Sequence, residues 1–297
     1  MPAYTHLLYD QEGAVVTITF NRPQMLNSIN REMIDEITES CKHADADPSV
    51  KVIIIKGAGR SFSAGFDMSG QGPKRTWPGG LLEGMDIGTH LDYMRKRQHG
   101  EWRNQILFGE MDKPVIGQVH GYCIGGGTWY ALSMDILIAG ESAVFAQAEI
   151  RHGDGGSFVW ASRCGWSNAL RYQLTGDHID AGEALRIGAV NEVVPDDRLD
   201  AHVMKLANRI ALLPIESIKL NKAMIRKGMD MMGFRNAQMM AVEISSMVET
   251  SWLDAYHARW DRLQEEGGLR AFLEDRDGPY LPEPFGPRSK MTSFKQR

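Results

Sequence analysis

Residues 113–140 read KPVIGQVHGYCIGGGTWYALSMDILIAG. The apolar run PVIGQV reads as a strand, with Pro114 at its first position, where a missing N–H is tolerated. GYCIGGG then turns the chain, TWYALSMD reads as the start of a helix, and DILIAG reads as a further strand. Strand, helix, strand in succession is the α/β pattern. Gly125, Gly126 and Gly127 sit at the helix start. Free N–H groups at a helix N-terminus carry partial positive charge, and a residue without Cβ lets a substrate oxygen come close. Tight helix packing is the other reading of the same glycines.

The pattern continues on both sides. AVVTITF (14–20) alternates Val16, Ile18 and Phe20 as a strand, which NRP ends. INREMIDEITESC (29–41) places Met33, Ile34, Ile37 and Cys41 on one helical stripe behind Asn30 as N-cap. KVIIIKG (51–57) reads as a buried strand and AVFA (143–146) as a short one. IDAGEALRIGAVNEVVP (179–195) opens with the capping pair Asp180 and Glu183, and its helix should stop at Gly188. Beyond Pro195 the periodicity is helical over 198–212, 215–228, 234–249 and 252–266. Met229, Met231, Met232, Met239, Met240 and Met247 there read as packing or subunit interface. The expected organisation is a core over 1–195, a helical region over 196–275, and an irregular Pro- and Gly-rich tail over 276–297 with a solvated basic end. Between Met68 and Met111 a long polar segment begins as loop and turns helical from about Asp86; its length is that of a lid or specificity element.

Bulk properties exclude several function classes. The 297 residues are 43% hydrophobic and 24% charged, with a net charge of -5. No basic block appears, which argues against nucleic acid as a partner. The longest aliphatic run is too short for a membrane span, and the first residues lack a signal-peptide pattern. Cys41, Cys123 and Cys164 are widely spaced and read as reduced thiols in a cytoplasm. No metal-ligand spacing occurs, so no metal is expected.

A second glycine-containing turn, RSFSAGFDMSG (60–70), follows KVIIIKG. Its small residues Ser63, Ala64 and Gly65 would admit a ligand close to the backbone, and exposed N–H groups at a strand end favour negative charge. It lacks the third glycine of a dinucleotide fingerprint and the Gly-Lys-Ser/Thr of a P-loop. Two such turns, each offering an N–H, could together hold a developing oxyanion.

In order along the chain, NRPQMLNSIN, VIIIKGAGRSFSAGFDMSG, KPVIGQVHGYCIGGGTWYALSMDILIAG, FAQAEI and LTGDHIDAGEALRIGAVNEVVP resemble the crotonase, or enoyl-CoA hydratase/isomerase, superfamily over roughly residues 5 to 265. The resemblance implies an α/β fold: a spiral of ββα turns making two roughly perpendicular sheets, then a helical region used for trimer packing, with homotrimers or hexamers usual. It implies acyl-CoA chemistry in which the backbone N–H groups of Phe66 and Gly126 form the oxyanion hole. Ser63, Ala64, Gly65, Asp67, Met68, Gly125 and Trp129 would then lie along the substrate, with coenzyme A as part of that substrate and no resident cofactor. Gln24 stands where relatives often carry Lys, leaving Arg22, Lys56 and Arg60 as possible cations. Hydratases of the family use two glutamates. Glu149 in FAQAEI matches the second, whereas Trp129 occupies the first position. One carboxylate alone can move a proton between C2 and C4 of a 3-enoyl-CoA, which is isomerase chemistry; a salt bridge is the structural alternative for Glu149.

Asp154 in RHGDGGSFVW is a further candidate, because that context resembles the ring-opening diketone hydrolases of the superfamily. Capping a turn is its other reading. His152 is a secondary candidate and His120 a structural one. Three functions therefore compete: an enoyl-CoA hydratase or isomerase, a C–C bond hydrolase acting through Asp154, and a non-catalytic protein such as an RNA binder, which the acidic charge disfavours.

Overall fold

The computed structural model describes residues 3–68, 86–152, 157–251 and 254–294. In chain order its elements are β1 (Leu7–Glu12), β2 (Val15–Phe20), α1 (Arg31–Ala46), β3 (Val52–Gly57), α2 (Ile87–Glu110), β4 (Val115–Val119), β5 (Tyr122–Ile124), α3 (Gly126–Ser133), β6 (Ile136–Gly140), β7 (Val144–Ala146), α4 (Phe158–Gln173), β8 (Ile179–Asp180), α5 (Ala181–Arg186), β9 (Glu192–Val194), α6 (Asp196–Ala211), α7 (Ile215–Met231), α8 (Phe234–Ser251) and α9 (Asp254–Asp277). One sheet has the order β1-β2-β3-β4-β6-β9, antiparallel at β1–β2 and parallel beyond. A smaller sheet has the order β5-β7-β8.

The inner strands β3 and β6 are covered on both faces, which is why VIII and ILIA read as unbroken apolar runs. Val16, Ile18, Ile53, Ile55 and Val115 point into the main core with α1. The alternate residues Val15, Val52, Ile54, Ile116 and Ile138 meet Leu199, Val203 and Ala207, a four-residue repeat that is the inner stripe of α6. Between these strands the chain crosses to the smaller sheet: β4 runs into β5, β6 into β7, and the segment after β3 joins through a bridge between Ser63 and Cys123. That crossing brings successive strand ends to one place.

Several sequence expectations hold with small shifts. Asn30 caps α1, accepting the Met33 N–H, and Asp180 caps α5, accepting that of Glu183. The helix after the glycine run starts at Gly126, two residues earlier than Thr128. α9 runs to Asp277, but Gly268 at φ +66° breaks its helical course, close to the expected end at 266. Beyond it the chain is irregular but packed down. The Arg151 guanidinium is fully buried among Asp177 (3.1 Å), Glu283 (3.0 Å) and Asp277 (3.5 Å), with the Tyr280 ring 4.3 Å from its carbon. Burial opposes ionisation of Asp277, but Arg276 and Arg288 outweigh it and hold the carboxyl well below its ordinary range. Paired in this way, buried charges become tolerable. The tail is thereby tied to Arg151, two residues from Glu149.

Candidate active site

Strands β5 and β7 run parallel with Ile124 opposite Ala146, and the Gly125 N–H donates to the Ala146 carbonyl at 2.8 Å. The residues that follow each strand therefore emerge side by side. On one side the glycine run opens α3; on the other, Gln147 leads into a 3-10 turn, Ala148–His152, that carries Glu149. A third piece is clamped beside them. The Ser63 N–H donates to Tyr122 and the Ile124 N–H to Ser63. The Ile29 N–H donates to Gly65 and the Asp67 N–H to Ile29. In this parallel bridge Phe66 uses neither of its own polar groups toward Ile29, so its N–H points to the opposite edge.

The space vacated by each glycine is filled. Gly125 has φ +54°, and a Cβ there would land on the Oε1 of Glu149. A Cβ on Gly126 would lie 2.7 Å from the Phe66 ring, and one on Gly127 would lie 2.8 Å from the Ser63 carbonyl oxygen. The glycines thus allow three-way contact between the helix start, the 63–67 turn and Glu149.

Burial pushes the Glu149 carboxyl up to about 7; its own N–H, Arg276 and the Gly126 N–H pull it down, and Asp277 pushes it up. The residue as a whole keeps a partly exposed edge. Gln147 donates from Nε2 to Glu149 Oε2 at 3.1 Å, and its Oε1 accepts from Trp129 Nε1 at 2.5 Å. Trp129 is almost fully buried, edge-on to Phe66 with ring centroids 5.5 Å apart and packed on Val242 of α8.

Phe66, Gly125, Gly126, Trp129 and Glu149 are therefore neighbours, as are Ser63, Ala64 and Gly65 of the adjoining turn. The Ser63 hydroxyl donates to the Asn27 carbonyl at 2.8 Å, and the Ala64 N–H donates to Leu26 at 2.9 Å. Asp67 is bound by Arg22 at 2.8 Å, and Met68 is half-buried. Of the three possible cations, Arg22 is thus taken up by Asp67, and Lys56 pairs with Asp200 of α6 at 2.8 Å. Arg60 is exposed. His120 lies 2.8 Å from the Gly59 carbonyl, a structural contact. Asp154 and residues 69–85 of the expected lid lie outside the described residues. Among the described residues no cluster of metal-ligating side chains occurs and no helix is long and apolar enough to cross a membrane. Sequence reasoning overlooked Gln147; its only signal was a polar amide inside the buried run FAQA.

The chain is similar to known proteins in sequence and in fold. The family model described as enoyl-CoA hydratase/isomerase matches residues 10–281. A crotonyl-CoA hydratase of Syntrophomonas wolfei is 29% identical over 94% of this chain and 99% of its own. A short-chain-enoyl-CoA hydratase of Clostridium acetobutylicum is 34% identical over 75% of this chain and 82% of its own. The crystal structure of an enoyl-CoA hydratase/isomerase from Xanthobacter autotrophicus superposes with a TM-score of 0.83 at 29% identity, covering 93% of this chain and 99% of that one.

Proposed function

The chain belongs to the enoyl-CoA hydratase/isomerase family, and from that premise we propose that it transfers a proton along an enoyl-CoA thioester with Glu149 as its acid–base group. The observation that carries this reading is the seat of Glu149: its carboxyl lies against Gly125, beside the Gly126 N–H, and burial brings its pKa to about 7. A group titrating near neutrality can both take and return a proton.

The proposed steps are these. The thioester oxygen of a 3-enoyl-CoA enters between the Phe66 and Gly126 N–H groups. Glu149 removes a proton from C2, the electron pair moves to the thioester oxygen as a dienolate, and the two N–H groups hold that charge. Glu149 then returns the same proton at C4, giving the 2-enoyl-CoA with no water consumed. Trp129, at the position where the family's hydratases carry their other glutamate, cannot exchange a proton, so isomerisation is favoured over hydration. Coenzyme A enters as part of the substrate, along residues 63–68, and no resident cofactor takes part.

The deciding experiment assays 3-enoyl-CoA isomerisation, crotonyl-CoA hydration and cyclic β-diketone cleavage side by side, in wild type and in Asp154→Asn. Isomerisation should dominate and survive the Asp154 change. Ring-opened acid that disappears in Asp154→Asn would instead establish the C–C hydrolase reading.

Assembly belongs to the same proposal. Leu220, Met224, Ile225, Met231, Met232, Met240, Ile244 and Met247 are exposed on α7, α8 and the turn between them, an apolar surface of the kind that copies of one chain cover. Light scattering should give the mass of a trimer or hexamer; a monomer at micromolar concentration would refute it.

A further inference from the structure

Donors converge on one oxygen beside the acid–base group. Gln147 Oε1 lies 2.5 Å from Trp129 Nε1, and 3.3 Å from both Trp160 Nε1 and Thr128 Oγ1. An indole N–H can only donate, so the oxygen end of the amide must face the two tryptophans. The Thr128 hydroxyl has a single proton and a better acceptor, the Gly125 carbonyl at 2.7 Å. Trp160 Nε1 is shared, standing 3.3 Å from Thr128 Oγ1 as well. Trp129 Nε1 is therefore the closest donor to Gln147 Oε1. With the oxygen end fixed, Nε2 is turned to Glu149 Oε2 at 3.1 Å. All three side chains of this relay's base, Trp129, Trp160 and Gln147, are buried, so no solvent competes for these bonds.

We propose that Trp129 and Gln147 are a positioning pair for Glu149: the indole locks the amide so that its NH2 group, and never its oxygen, meets the carboxyl. The inference rests on the reading of Glu149 as the acid–base group. It gives the tryptophan a role in the same chemistry as the residue it stands in for, exerted through another side chain.

The consequence is a choice of protonation state. An amide NH2 stabilises the carboxylate. A flipped amide would set Oε1 against Oε2, an acceptor pair that only a protonated Glu149 can satisfy. The charged groups facing Glu149 from α9 are Arg276 and Asp277, which act in opposite directions and are bonded to each other at 2.7 Å. On its own turn Arg151 is ion-paired with Asp177, Asp277 and Glu283. The amide is thus the contact whose sign the indole N–H groups set, and Trp129 makes the shorter of the two bonds.

The test reads the Glu149 carboxyl directly, without substrate, as the infrared band lost between wild type and Glu149→Gln across a pH titration. Trp129→Phe should move the midpoint upward by about one pH unit, the scale of one hydrogen bond to a charged group. Gln147→Leu should do the same. The double variant should move no further than Gln147→Leu alone, because the indole acts only through the amide. Should Trp129→Phe fold poorly, 3-benzothienylalanine at position 129 keeps the shape of the indole and removes only its N–H. An unmoved midpoint, or shifts that add in the double variant, would overturn the proposal. If turnover is lost in Glu149→Gln while the midpoint stays fixed in the Trp129 variants, only this inference fails. If turnover survives Glu149→Gln, the functional reading fails instead.

Discussion

Glu149→Gln is expected to lower kcat for enoyl-CoA isomerisation by ~10²–10⁴-fold while making the folded protein more stable at pH 8. Both effects come from one cause. The carboxyl titrates near 4.5 when solvated and at about 7 in the fold, because burial disfavours its charge. Between those values the folded state binds a proton that the unfolded state has released. Stability is therefore full below about pH 4.5, declines as pH rises through the window, and levels off above 7. A shift of this size corresponds to at most about 3 kcal/mol, an upper bound because the residue keeps an exposed edge. Glutamine carries no charge to bury. Denaturant titrations should show the variant ahead of wild type at pH 8 and level with it near pH 4.5. Equal stability at pH 8 would mean that Glu149 is not strained by burial. Undiminished turnover would remove it from the mechanism.

Such opposition between stability and activity is expected where a charge is held in a poorly solvated seat for its chemistry. The buried ion cluster of the tail differs in kind. Arg151 is ion-paired with Asp277 and Glu283, and both carboxyls are held below their ordinary range, so they anchor the chain in their charged form. The two sets of buried charge are only two residues apart in sequence, at Glu149 and Arg151, yet one is left chemically available and the other is not.

How much of this was legible in the sequence depends on how local each cause is. α1 could be read because its cap and stripe lie within one helix: Asn30 binds the Met33 N–H, and Met33, Ile34, Ile37 and Cys41 share one face. β1 was legible in principle, with Leu7 and Tyr9 inward and Leu8 outward, but the short polar-rich run was passed over. β5 was not: it has three residues, and its partners are Val144–Ala146 and Ser63, set by pairing distant in sequence. α4 was hidden in part by Gly165, whose φ of +75° breaks the helical course midway. At the site, the glycine run stood out from its own residues at a strand-to-helix turn, whereas Glu149 was found through the family resemblance. Gln147 was missed because its role exists only when Trp129, Trp160 and Glu149 surround it, and nothing in FAQAEI says which neighbours it will have. The tail's anchoring was missed likewise, since Asp277 and Glu283 look like solvated charges until Arg151 and Arg288 are brought to them.

The glycine run permits the sharpest structural test, because its neighbours have separable jobs. Gly125→Ala should lower turnover by ~10²-fold or more, since the new methyl group would occupy the seat of Glu149 Oε1 and push the carboxyl away from the site. It should also destabilise the fold by about 1–3 kcal/mol, because φ +54° is a conformation that a residue with a side chain adopts only with strain. Gly127→Ala is the control. Its methyl would press on Ser63, not on Glu149, so it should cost stability while the folded fraction keeps most of its activity. The two penalties at Gly125 can then be divided by adding Glu149→Ala. Removing the carboxyl removes the clash but not the backbone strain, so the double variant should regain part of the lost stability and none of the turnover. If the stability losses are additive, the methyl and the carboxylate do not compete for one position. The first glycine of the run would then serve the helix start alone, and its tie to Glu149 would be broken.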